Sequence, residues 1–147
     1  MKELYTTEIM SFAAHIPHIG RLTGAQGQGS AHSRLCGSSI SVWLNMEEGV
    51  VSAFSQEVKA CLVGQASASI LGQKIIGSSQ AEIRELRETV RIMLEEQGRA
   101  PTGKWQSFSL LAPVHHYKSR YSTVLIAFDA ILLAMEMAVA GKEAENV

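Results

Sequence analysis

The chain is poor in aromatic side chains, proline and cysteine, and it has almost no net charge. Its 147 residues include 6% aromatics, three prolines and two cysteines, and the formal net charge is −1. Because there is no surplus of positive charge, no broad electrostatic field attracts nucleic acid, and we expect no general nucleic-acid binding. In a reducing compartment, two cysteines favour free thiols or metal ligands over a structural disulfide.

Targeting signals and long apolar runs are also missing from the sequence pattern. The first eight residues lack the apolar stretch of a signal peptide. The most apolar region, residues 131–140, lies in a longer run that Asp129 and Glu136 interrupt, so we expect no membrane-spanning segment. We therefore expect a cytoplasmic chain that forms one domain over residues 1–147, long enough to bury a core without disulfides or metal.

The first half of the chain alternates between helical and strand periodicity. Apolar residues at helical spacing predict an amphipathic helix over residues 3–16, and the glycine-rich residues 23–30 predict a flexible loop. Strict alternation over residues 40–46 predicts a strand, and a hairpin turn at residues 47–49 leads into a second strand over 50–58. A short strand near residues 31–36 would complete an antiparallel meander of about three strands.

The second half of the chain is mainly helical in pattern. We predict a small-residue helix over 61–76, a helix that follows the capping-box pair Ser79 and Glu82, an irregular stretch over 99–121, and a last amphipathic helix capped by Gly141. Strands followed by helices predict an α+β fold, in which the helices pack on one face of a three-stranded antiparallel sheet.

The two cysteines are the main candidates for chemistry. Cys61 begins a predicted helix, where the free amide groups and the positive end of the helix dipole favour a thiolate, and Lys59 lies two residues away. Cys36 precedes Gly37, which lets the backbone bend close to a bound ion. The alternative is a purely structural role, in which each thiol packs as a small hydrophobic side chain. The 24 residues between them do not match a zinc-finger spacing.

Two adjacent histidines are further candidate ligands. His115 and His116 lie in the predicted irregular stretch, and ligands often come from loops. Adjacent loop histidines are also common as plain surface residues, so both interpretations remain open.

Three segments together resemble the NifU-like family of iron–sulfur cluster scaffolds, which includes the IscU and SufU types. Ile16 to Leu22 is similar to the family's N-terminal Pro…Gly turn, and Cys36-Gly37-Ser38 is similar to its Cys-Gly-Asp motif. Cys61 to Ser69 is similar to its second motif, a cysteine followed by a small-residue helix. The order and the intervening lengths agree from about residue 5 to residue 140, which implies the family's fold.

Two family residues are replaced in this chain. Ser38 stands where the family has an aspartate, and Thr123 stands at the position of its third cysteine, in a stretch from Tyr117 that resembles Phe-Pro-x-Arg-x-Lys-Cys. If the alignment is shifted by one residue, Ser122 takes the cysteine position instead.

The resemblance implies an assembly scaffold or carrier rather than a turnover enzyme. Its cargo would be a transient iron–sulfur cluster, or alternatively zinc, and its ligands would be Cys36 and Cys61. His115, His116 or a second copy of the chain in a homodimer would complete the ligand set. The implied partners are a cysteine desulfurase and recipient apo-proteins. The alternative function is a metal-free interaction module or a sulfur acceptor for the desulfurase.

Overall fold

The computed structural model describes residues 3–35 and 37–146 and contains one three-stranded antiparallel sheet in the order β1-β2-β3. The predicted α+β fold is confirmed. The elements in chain order are α1 (Thr7–Ala14), β1 (Gly27–His32), β2 (Ser39–Glu47), β3 (Val50–Lys59), α2 (Leu62–Lys74), α3 (Gln80–Glu96), the 3₁₀ segments η1 (Gly103–His116) and η2 (Lys118–Arg120), and α4 (Tyr121–Glu145).

The predicted hairpin joins β2 to β3 through a two-residue turn. Glu47 pairs with Val50, and between them Glu48 and Gly49 have φ values of 49° and 81°. Two consecutive left-handed residues match the twist of the flanking strands, which is why such turns are favoured in hairpins. The hairpin prediction is confirmed, and the register that the turn sets changes by one residue at an irregularity between Asn45 and Met46.

The prediction of a flexible loop over residues 23–30 was wrong for its second half. Gly27 and Gly29 lie in β1, and they are needed for close packing rather than for flexibility. A Cβ atom added at Gly27 would lie 1.9 Å from the carbonyl oxygen of Ala134, and one at Gly29 would lie 2.1 Å from that of Ala130. The backbone of α4 therefore lies directly against β1 at a distance that excludes any side chain.

The last helix is longer and more buried than the sequence pattern predicted. Gly141 is not its cap, because α4 continues through this residue to Glu145. A run from Thr123 to Phe128 is buried on every side, as expected for the central helix of a core.

The same helix corrects the expectation that no segment is apolar and long enough to span a membrane. By length and composition alone, Lys118–Glu145 passes that test, but 56% of its most apolar stretch is buried inside the fold. The two acidic residues expected to interrupt the run are tolerated within α4. Asp129, for example, accepts a hydrogen bond from Arg87 of α3 at 2.7 Å.

The other helix boundaries differ in detail from the predictions. The first helix begins at Thr7 rather than near residue 3, since the Thr6 side chain caps it by accepting from the Ile9 amide at 3.2 Å. The predicted cap of α3 is confirmed, because the Ser79 hydroxyl accepts from the Glu82 amide at 3.1 Å. The stretch over 99–121 is not irregular throughout, since most of it forms η1 and η2, and Phe108 of η1 is fully buried against Phe128 of α4.

Candidate functional site

Cys61 is the residue immediately before α2, as the sequence predicted. Its backbone is extended, with φ −69° and ψ 174°, and its side chain makes no capping hydrogen bond. The thiol is free and half-buried, and it packs against the edge of the hydrophobic core. The first turn of α2 follows Cys61, so the free amide groups and the positive end of the helix dipole lie close to its sulfur atom. The sulfur does not cap the helix.

The residues on either side of the other cysteine position, Ser33 and Gly37 to Ser38, lie next to Cys61. The Gly37 amide donates to the Ser33 carbonyl at 2.9 Å, and the Ser33 amide donates to the Ser38 carbonyl at 2.8 Å. Gly37 has a φ of 70°, a conformation that favours glycine. The turn contacts α2 directly, because the Cys61 amide donates to the Ser38 hydroxyl at 3.4 Å. Cys36 itself lies outside the described residues, so its predicted convergence with Cys61 stays a prediction.

The start of α4 forms the third side of the site. Arg120, the last residue of η2, donates from Nη1 to the Cys61 sulfur at 3.3 Å. Two residues later, the Ser122 hydroxyl lies 2.8 Å from the hydroxyl of Ser33 in the turn. Three elements that are distant in sequence therefore meet around one thiol: the 33–38 turn, the start of α2 and the start of α4.

Thr123, which stands at the position of the family's third cysteine, faces α2. It is fully buried, and a Cβ atom added at Gly64 would lie 3.0 Å from its Cγ2 atom. One turn further along α2, the Ser67 hydroxyl donates to the Val124 carbonyl at 2.7 Å. The small residues of α2 therefore allow α4 to approach closely, which places the Thr123 side chain in the interface between the two helices.

The two predicted histidine ligands lie at the end of η1. The Nδ1 atom of His115 lies 2.5 Å from the Leu94 carbonyl, and the Tyr121 hydroxyl donates to the His115 carbonyl at 2.5 Å. The exposed His116 ring stands edge-on to the ring of His115, with 5.2 Å between their centroids. Over the residues that the structure describes, no three or more His, Cys, Asp or Glu side chains converge on a common point. Metal binding by these two histidines stays a prediction.

Sequence reasoning missed the contributions of Arg120 and Ser33 to this site. A signal for Arg120 was present, because it falls on the arginine of the motif that Tyr117 to Thr123 resembles. No comparable signal marked Ser33, since its role depends on a turn that brings it to a residue 89 positions further along the chain.

The fold and the site together define a class of protein: a small α+β domain that presents a free thiol at a helix start. A guanidinium group donates a hydrogen bond to the sulfur, and hydroxyl groups lie on the neighbouring segments. The family model described as the NifU-like N terminal domain matches residues 4–121. The chain therefore belongs to the NifU-like N-terminal domain family, and the resemblance predicted from its motifs is confirmed.

Individual relatives support the same assignment. A solved NifU-like protein (N-terminal) from Brucella abortus has a TM-score of 0.91 and 37% identity, and the match covers 95% of this chain and 96% of that one. The iron-sulfur cluster assembly scaffold protein IscU of Thermotoga maritima is 27% identical over 135 residues, which span 92% of this chain and 94% of that protein.

A further solved structure shows the same fold. A putative iron-sulfur cluster assembly scaffold protein for the SUF system, from Fervidobacterium islandicum AW-1, has a TM-score of 0.81 and 17% identity, with 90% of this chain and 96% of that chain covered. At this identity the match supports the architecture rather than the details of the site.

Proposed function

We propose that this protein is an iron–sulfur cluster assembly scaffold or carrier in which Cys36 and Cys61 are the thiolate ligands. The observation that carries the proposal is the hydrogen bond from the Cys61 amide to the Ser38 hydroxyl. It joins the motif that contains the first cysteine to the helix start that presents the second. Family membership and the named scaffold relatives support the same function.

In the proposed function, the protein holds an iron–sulfur cluster transiently and does not turn over a substrate. A cytoplasmic cysteine desulfurase supplies the sulfur, and recipient apo-proteins accept the finished cluster. A scaffold must release what it binds, and a site with few protein ligands suits that task. In this chain, the alcohols of Ser38 and Thr123 replace two potential anionic ligands of the family.

The small number of thiols limits how a cluster is held. Clusters are usually bound by four thiolates, and one chain offers two. Thr123 offers only an alcohol, which does not readily become an anionic ligand, and the Ser38 hydroxyl already accepts from the Cys61 amide. We therefore propose that two chains bridge one [2Fe–2S] cluster, with two cysteines from each. A histidine ligand from the same chain, His115 or His116, is the competing arrangement.

Anaerobic reconstitution tests this proposal. The purified protein is incubated with ferric iron and sulfide, which together supply the oxidation state of a [2Fe–2S] cluster. Iron, acid-labile sulfide, absorbance and native mass are then measured over a range of protein concentrations. We expect about one cluster per two chains and a cluster yield that rises with protein concentration, because assembly requires association of two chains. If a monomer binds the cluster, and if His115→Ala or His116→Ala abolishes that binding, the histidine arrangement would be favoured.

A protein that takes up no iron at any concentration would overturn the scaffold function. The measurement then separates the two alternatives. Slow alkylation of both cysteines would indicate a metal-free interaction module. Fast, selective alkylation of one cysteine would indicate a sulfur acceptor.

A further inference from the structure

Arg120 is the only residue for which the structure shows a side-chain hydrogen bond to the sulfur of Cys61 within the described part of the chain. It is half-buried and sits at the junction of η2 and α4, where its amide donates to the Tyr117 carbonyl at 2.8 Å. Its guanidinium group lies within ion-pair distance of no carboxylate among residues 3–35 and 37–146. The positive charge at the site is therefore directed at the sulfur rather than neutralised by an acidic residue.

Among the described residues, the other polar side chain shown in contact with Cys61 is neutral, since the Ser38 hydroxyl accepts from the Cys61 amide. Ser33 and Ser122 add two further hydroxyl groups on the neighbouring segments, where they are hydrogen-bonded to each other. A site made for a bare metal ion normally surrounds it with anionic or lone-pair ligands that offset its charge. Here the fixed charge beside the thiol is positive, which is the arrangement that favours an anion.

We propose that Arg120 is a specificity-determining residue that makes the Cys61 site select anionic sulfur species over neutral molecules and single metal ions. The proposal rests on the scaffold function proposed above and identifies the form of cargo that the site prefers. Inorganic sulfide and a thiolate-ligated iron–sulfur cluster both carry negative charge on sulfur. The Arg120 guanidinium stabilises such charge through a charge-assisted hydrogen bond.

A zinc ion held by two thiolates presents no such excess negative charge. The hydrogen bond from Arg120 then competes with the metal for the lone pairs of the Cys61 sulfur, and the guanidinium charge repels the ion. Removal of the positive charge should therefore affect the two kinds of cargo in opposite directions. A residue that only held the local fold together would affect both in the same direction.

The first test measures charge selectivity at Cys61 without any cluster. The metal-free protein is alkylated with anionic iodoacetate and with neutral iodoacetamide, and mass spectrometry of the Cys61 peptide gives each rate separately from Cys36. The ratio of the two rates cancels the fraction of ionised thiol, so it reports only how the site treats an incoming anion. We expect Arg120→Gln to lower the iodoacetate-to-iodoacetamide ratio by about three- to tenfold.

Two control variants sharpen this test. Arg120→Lys keeps the charge and should keep most of the ratio, whereas Arg99→Gln removes an exposed charge from the loop after α3 and should leave the ratio unchanged. An unchanged ratio in Arg120→Gln, or an equal fall in Arg99→Gln, would overturn the proposal. This result is independent of whether the wild-type protein assembles a cluster, so failure of the inference is distinguishable from failure of the proposed function.

The second test compares the two cargoes. With the reconstituted protein, Arg120→Gln should shorten the lifetime of the cluster about tenfold, while zinc affinity, measured by competition with a chromophoric chelator, should rise. An equal loss of cluster and zinc would show that Arg120 only supports the local fold. It would reject the selectivity that we propose.

Discussion

The hydroxyl groups of Ser33 and Ser122 lie 2.8 Å apart and join the turn before β2 to the first turn of α4. This contact and the bond from the Cys61 amide to the Ser38 hydroxyl connect the segment before β2 to α4 and to the start of α2. Neither bond involves a candidate ligand atom. Both can therefore be removed without a change in the chemistry of the thiols, which allows the geometry of the site to be tested separately from its ligands.

A double-mutant cycle on Ser33 and Ser122 tests whether this contact fixes the turn. We expect Ser33→Ala and Ser122→Ala to show a coupling of about 0.5–1.5 kcal/mol in the free energy of unfolding. Each single variant should also shorten cluster lifetime, because Ser33 and the segment before β2 are held less firmly. Urea unfolding and the decay of cluster absorbance give the two readouts. Additive unfolding energies would show that the two hydroxyls do not interact in solution.

Replacement of Cys61 should separate cluster binding from stability. Cys61→Ala should abolish retention of iron and sulfide, whereas the metal-free protein should lose no more than about 1 kcal/mol of stability, because the thiol is half-buried and caps nothing. Cys36→Ala provides the parallel test of the other proposed ligand. Full retention of stoichiometric metal by either variant would show that the substituted cysteine is not a ligand. A loss of several kcal/mol in the metal-free protein would favour a structural cysteine.

The glycines of β1 show where sequence reasoning reached its limit. A Gly-rich stretch usually indicates flexibility, and the pattern over 23–30 contained no alternating apolar side chains that would predict a strand. Its strand forms because the backbone of α4 packs against Gly27 and Gly29, and that contact is made by residues more than 100 positions away. The β2–β3 hairpin was predictable, by contrast, because its alternation and its turn residues are local.

The site likewise combines features that the local sequence predicts with features that depend on distant contacts. The positions of Cys61 and the α3 cap follow from neighbouring residues, so the sequence predicted them. The motif that begins at Tyr117 marked Arg120 as a candidate, but the bond from Arg120 to the Cys61 sulfur depends on how α4 docks on α2, which the motif does not contain. The absence of acidic ligands could be read directly from Ser38, whereas the burial of Thr123 required the packed helices.

Alanine substitutions at two kinds of glycine test the packing explanation. Gly27→Ala should destabilise the protein by about 3 kcal/mol or more, since its methyl group would meet the Ala134 carbonyl and force α4 away from β1. Gly141→Ala is the matched control, because it lies in α4 with open space around it. That control should stabilise the protein by about 0.5–1 kcal/mol. Thermal unfolding followed by circular dichroism measures both, and equal effects would contradict the close-packing explanation.

The carboxylate of Glu82 should make stability depend on acid pH. Burial alone would raise its pKa, but hydrogen bonds from Trp105 Nε1 at 2.8 Å and Lys104 Nζ at 3.1 Å, with a backbone bond from Ser79, lower the pKa overall from its ordinary value of 4.5. A lowered folded-state pKa means that the carboxylate stabilises the fold above its unfolded-state pKa. This stabilisation is lost as the pH falls through the folded-state value.

Glu82→Gln measures that contribution. At pH 7 the variant should be less stable by about 1 kcal/mol, because three donors lose a charged acceptor. The difference from the wild-type protein should shrink as the pH falls below about 4. Glu85→Gln on the same helix is the control, since this residue is exposed and forms none of these bonds. A difference that is constant from pH 7 to pH 3 would show that ionisation of Glu82 does not contribute.

Restoring a third thiol tests the proposed ligand shortage most directly. Thr123 lies at the position of the family's third cysteine and is the third residue of α4, where its side chain is held between α2 and α4. A cysteine is close to threonine in volume, so Thr123→Cys should fold normally. The added thiolate should lengthen cluster lifetime and shift binding from dimer toward monomer, because a ligand on the same chain avoids the entropic cost of recruiting a second chain.

Two further variants accompany this test. Ser122→Cys tests the alternative alignment, in which residue 122 takes the position of the family's third cysteine, and Ser119→Cys adds an exposed thiol outside the site as a control. If the Thr123 and Ser122 variants bind and release clusters as the wild-type protein does, the shortage of thiolates does not limit cluster retention. The bridging arrangement would then lose its main argument.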